Sequence, residues 1–125
     1  MTRMNRAYST NIRPHVEREL IAARDARKSG APADEFHHLE NAHVLGQEST
    51  YWHTKVHVLM LQWAIRNRSL SEMIGQVIRI IGAATKTAIG LVPEGNTGGS
   101  NVRPLRRMPV AFELRQIIEV ARVGK

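Results

Sequence analysis

Three observations predict an all-α fold. Apolar residues recur at helical spacing along most of the chain, no stretch alternates as a strand would, and Gly, Pro and Ser cut the sequence into helix-length pieces. The expected architecture is two antiparallel helical hairpins, tetratricopeptide-like, followed by a Gly-rich loop and a C-terminal helix. Residues 1–12 are expected to be a flexible basic arm. Residues 13–125 are expected to form a single helical domain, a length that suits one core.

The elements follow in order. Pro14 suits the first turn of a helix. Val16, Leu20 and Ala23 then keep helical period, and Gly30 ends the helix after Lys28. A second start lies at 32–34, with Phe36, Leu39, Ala42 and His43 on one stripe and Gly46 as its stop. Ser49 or Thr50 caps a third helix. There Trp52, Val56, Leu59 and Trp63 make one stripe, and His53, His57, Met60 and Ala64 the next. Ser69-Leu70-Ser71-Glu72 fits a capping box for a fourth. Its Met73, Ile74, Val77, Ile78, Ile80 and Ile81 leave little polar face, so it is expected to be the most buried helix. The segment from Leu91 to Val102 is turn-rich. A last helix is expected from Pro109 through Phe112, Leu114, Ile117, Ile118 and Ala121. Pro14 and Ser49 open the two pairs about thirty-five residues apart, near the period of tetratricopeptide hairpins.

Composition narrows the function classes. The chain is 42% hydrophobic and 23% charged, which is globular rather than disordered. It has no cysteine, so disulfides and thiolate metal sites are excluded and any metal must be held by nitrogen and oxygen. No apolar run reaches membrane-spanning length, because Gln76, Arg79 and Lys86 interrupt the most hydrophobic stretch. The N-terminus has no secretory pattern, and a cytoplasmic location is expected. Net charge is +7. It favours acidic partners: an acidic protein or peptide, or nucleic acid bound non-specifically. Association with a second copy is left open.

The chemistry concentrates between Phe36 and Met60, where five of the six histidines fall. Glu40 and His43 are three apart, and His53 and His57 four apart, so each step sets two donors on one helix face. If the second and third helices turn near Gln47 and Glu48, His43 lies opposite His53 and Glu40 opposite His57. A first hairpin turning near Gly30 brings Glu19 to the level of His43. The expected metal set is therefore His43, His53 and His57, with Glu40 next and Glu19 as a fourth or outer group. Imidazole and carboxylate donors suit Zn, Fe, Mn, Ni or Cu rather than Ca or Mg. The fourth helix has Gly75 where a second Glu-x-x-His step would need histidine, which argues against a full di-iron centre. Two readings stand beside metal-dependent chemistry or metal handling. The histidines and glutamates can form a metal-free hydrogen-bond network in an interaction module that binds a peptide or acidic partner. They can also act directly as acid and base on an organic substrate. Enzymatic activity is left open.

Gly95-Asn96-Thr97-Gly98-Gly99-Ser100-Asn101 is the second singular feature. Gly98 and Gly99 can expose backbone N–H groups to an anion, with Arg103, Arg106 and Arg107 to pair with it. It lacks the Lys-Ser/Thr step of a P-loop. The simpler expectation is a tight returning loop.

Together, Pro14-His15 with Glu19, the run His38-Leu39-Glu40-x-Ala42-His43-x-Leu45-Gly46-Gln47, His53, His57, and Val92-Pro93-x-Gly95-Asn96-Thr97-Gly98-Gly99-x-Asn101-Val102 resemble a small bacterial family of unknown function. The resemblance covers about Pro14 to Ile118. It implies an independently folded bacterial domain and carries no activity, substrate or cofactor with it.

Overall fold

The computed structural model describes residues 3–86 and 109–123, with side chains for 6–82 and 109–123. Five α-helices run through them: α1 Arg3–Lys28, α2 Pro32–Gly46, α3 Thr50–Arg66, α4 Leu70–Lys86 and α5 Phe112–Val123. No strand occurs among the described residues. The most extensive packing is α1 on α2 and α3 on α4; α2 joins the two pairs through α3, and α5 lies on α1 and α2. Ile12, Val16, Leu39, Ala42, Leu45, Trp52, Val56, Met60 and Ile118 are among the residues of one continuous core.

Of the residues expected as an arm, 3–12 are the first turns of α1, and Pro14 lies inside that helix. Tyr8 and Ile12 are buried, and Tyr8 Oη donates to the Leu45 carbonyl at 2.7 Å. Trp52 Nε1 donates to the Ser9 carbonyl at 3.0 Å, and Asn11 Nδ2 to the Ala121 carbonyl at 3.0 Å. An interior proline costs a helix about 3 kcal/mol. Burying Tyr8 and Ile12 returns roughly 1.5–3 kcal/mol each, before the Tyr8 hydrogen bond. Tertiary packing therefore carries the helix across a residue that local propensity would place at its start.

The connections are short and have identifiable geometry. Gly30 sits at φ +75°, with Gly30 N–H donating to Arg27 O and Ala31 N–H to Ala26 O. These are the two bonds of a Schellman C-cap. The same pair closes α3, where Arg68 N–H reaches Ile65 O and Ser69 N–H reaches Ala64 O, but the left-handed residue is Arg68 at φ 55°. Ser69 N–H is thus satisfied by Ala64, and the Glu72 carboxylate expected to cap it receives Gln76 Nε2 instead. Ser49 caps α3 by accepting from Trp52 N–H at 3.2 Å. Gly46 was expected as a helix stop. It is the last residue of α2, and its role is close approach: a Cβ there would stand 2.7 Å from Trp52 Cβ.

Helix α4 departs most from expectation. Its buried residues include Glu72, Gln76 and Arg79, whereas Leu70, Ile74, Val77, Ile78 and Ile81 are exposed. The polar residues, four and three apart, form one stripe and that stripe faces inward. An apolar count could not reveal this, because it cannot say which face meets a polar site.

The expected loop residues Gly98, Gly99, Arg103, Arg106 and Arg107 lie outside the described residues.

Candidate metal centre

The α2–α3 pairing brings three histidines to one point. His43 comes from α2, His53 and His57 from successive turns of α3, and all three are buried. Their ring centroids are 4.8 Å (His43–His53), 4.6 Å (His43–His57) and 4.9 Å (His53–His57) apart. One ligating atom from each ring falls within 4.8 Å of the others. His43 Nε2 and His57 Nε2 are 3.1 Å apart. Two nitrogens on one tetrahedral ion, each at about 2.0–2.1 Å, stand roughly 3.3 Å from each other. The donor set and the His43–His57 spacing therefore suit a transition metal, and the three-ring cluster, whose donor atoms spread over as much as 4.8 Å, would contract around it.

Helix α4 supplies the groups behind His57. His57 Nδ1 lies 2.6 Å from Gln76 Oε1, and Gln76 Nε2 donates to Glu72 Oε2 at 2.6 Å. The order of these contacts fixes a tautomer. A carboxylate accepts, so it takes the Gln76 amide nitrogen and turns the amide oxygen to His57. Nδ1 must then carry the proton, leaving the Nε2 lone pair directed at the cluster. Burial pushes the His57 imidazole down to about 4; the Gln76 hydrogen bond opposes this, and the nearby Arg79 charge adds to it. At neutral pH the ring is therefore neutral, the form that binds metal. Arg79 is itself buried, and the Glu72 carboxylate opposes the loss of its proton affinity.

The two expected carboxylates are placed elsewhere. Glu19 Oε1 receives Asn41 Nδ2 at 3.2 Å and lies 2.9 Å from His38 Nδ1. Glu40 Oε1 is 3.8 Å from His37 Nδ1. Neither belongs to the three-histidine group. A helix shows different faces to different neighbours: α2 turns His38 and Asn41 toward α1, and His43 toward α3. Glu19, on α1, meets the first face and not the second. The Glu40 carboxyl is pushed up by burial, with His37 opposing and the Glu72 charge adding. Gln76, Glu72 and Arg79 are the site residues that sequence reasoning missed. Their signal was present as three polar side chains at helical spacing inside the most apolar segment.

This is an all-helical domain with a buried three-histidine cluster able to coordinate a transition metal between its helices. The chain belongs to a family described as Protein of unknown function (DUF3703), whose model matches residues 10–118. No curated protein and no solved structure matches it. No helix among the described residues is long and apolar enough to cross a membrane.

Proposed function

We propose that the protein binds one transition-metal ion through His43, His53 and His57, for metal-dependent chemistry or metal handling. The observation that carries this reading is the convergence of three buried imidazoles from two helices. Without a role, three such rings cost desolvation and side-chain ordering and return little hydrophobic stabilisation. An all-imidazole set suits Zn, Cu, Ni or Fe better than Mn. Three histidines with a fourth position for water or substrate is the usual catalytic arrangement, and a bound ion would supply a Lewis acid or an activated water there. Gln76 and Glu72 hold His57 in the ligating tautomer, as outer hydrogen-bond partners do in histidine sites. Glu40, one helical turn before His43, is the carboxylate that could complete the set by a change of rotamer. Glu19 acts further out, through His38 and Asn41.

A second reading has its own observation. The 3.1 Å His43–His57 contact is itself a hydrogen-bond distance, and it continues through Gln76 to Glu72. The cluster would then be a metal-free polar network tying α2, α3 and α4 together, within a tetratricopeptide-like module that binds a peptide or acidic partner. Calorimetric titration of metal-stripped protein with Zn, Cu and Ni salts separates the two. Binding of about one ion per chain with a rise in melting temperature supports the metal centre. A flat titration and an unchanged melting temperature support the network.

A further inference from the structure

The outward face of α4 is unlike the rest of the described surface. Leu70 is 67% exposed, Ile74 55%, Val77 48%, Ile78 60% and Ile81 70%. Between Leu70 and Gly82 the only charged residues are Glu72 and Arg79, and both are buried on the opposite face. The outward face therefore carries no charge over three turns of helix.

We propose that this face is the seat of a second copy of the chain, with α4 packed on α4 across a two-fold axis. The spacing identifies the occupant as a helix. Residues 70, 74, 77 and 81 follow the four-three-four step of a coiled-coil seam, with Leu70 and Val77 at one seam position and Ile74 and Ile81 at the other. Charge leaves this face open to a like chain. The protein carries a net charge of +7, so most pairings between copies set cation against cation. Pairing α4 on α4 avoids this between Leu70 and Gly82, because the flanking Met73, Ile78 and Ile80 are also uncharged. An anionic membrane is a poorer match, since an interfacial helix rims its apolar face with Lys and Arg, whereas the single basic residue between Leu70 and Gly82, Arg79, is buried on the opposite face.

The area agrees. From their exposures, the five side chains present roughly 500–600 Å², near the largest apolar patch a monomer normally shows. An isologous pair doubles it to about 1,000–1,200 Å², the lower bound for a specific interface. A dimer that dissociates in the micromolar range is expected.

Sedimentation velocity of the full chain over that range tests the proposal. Wild type should shift from monomer to dimer as concentration rises. The Ile74→Glu/Ile81→Glu variant should remain monomeric with unchanged helix content, and Ile21→Glu, on an exposed position of α1, should still dimerise. Because the chain has no cysteine, Ile74→Cys gives a second readout that keeps the face apolar. A short bismaleimide should cross-link it to a dimer and leave Ile21→Cys as monomer. A monomeric wild type with no Ile74→Cys cross-link overturns the proposal. So does a wild type that stays monomeric and instead floats with anionic vesicles, or one whose Ile74→Glu/Ile81→Glu variant still dimerises. Each of these outcomes leaves the metal reading untouched, because the seam and the histidines lie on opposite sides of α4.

Discussion

His57 sits where pH dependence is decided. Its folded pKa of about 4 lies below its ordinary 6.5, so between these values the unfolded chain holds a proton that the folded chain does not. Stability then rises with pH across that window. The contribution is intact above pH 6.5 and is lost as pH falls toward 4, in total roughly 3 kcal/mol at 1.36 kcal/mol per pKa unit. Metal-free protein should therefore melt progressively lower between pH 7 and 4.5, and His57→Gln should flatten much of that slope. An equal slope in the variant would place the acid sensitivity elsewhere. Gln76 acts through His57. Gln76→Leu should weaken metal binding by about 10–100-fold, the usual cost of losing an outer hydrogen-bond partner. Affinity unchanged by that substitution would mean that the His57 tautomer needs no such support. The three histidines were legible in the sequence because helical spacing and one hairpin turn fix their positions. The carboxylates were not, because equal distance from a turn does not say which face of α2 a residue meets. Glu19 is at a plausible level and on the wrong side.

The helices were legible wherever an apolar stripe met an apolar neighbour, as for Val56 and Met60 in α3. They were misread where packing overrode a local rule. The start of α1 lies before Pro14 because Tyr8 and Ile12 are buried there. Two connections make this scale testable. Arg68 holds φ 55° in a position that glycine occupies at Gly30. Arg68→Gly removes the Cβ conflict of a left-handed residue and should raise stability by roughly 0.5–1 kcal/mol in urea unfolding. A loss there would show that the Arg68 side chain contributes more than its backbone strain costs. Gly46→Ala places a methyl 2.7 Å from Trp52 Cβ. It should destabilise by about 1–3 kcal/mol, as overpacking does. Because α2 and α3 would be pushed apart near His43 and His53, metal affinity should fall with it. Stability lost with affinity retained would separate that crossing from the site.

At the scale of the whole molecule, the arrangement explains why α4 is inside out. The cluster is built by α2 and α3, and it needs polar support from a third direction. Helix α4 gives that with Glu72, Gln76 and Arg79, which turns its aliphatic residues outward. Helix α5 locks the other side, where Arg122 forms a bidentate pair with Glu48 at 2.6–3.0 Å next to the α2–α3 turn. The fold thus holds the histidine-bearing α2–α3 hairpin from both flanks. The measurement that tests this account most directly is elemental analysis of the untagged chain, wild type beside His53→Ala, with helix content followed by circular dichroism. About one transition-metal ion per wild-type chain, lost in His53→Ala while helix content stays nearly intact, is the expected result. A wild type that holds no metal even after reconstitution, with His53→Ala unfolding the domain, would contradict it and leave the histidines as a structural network.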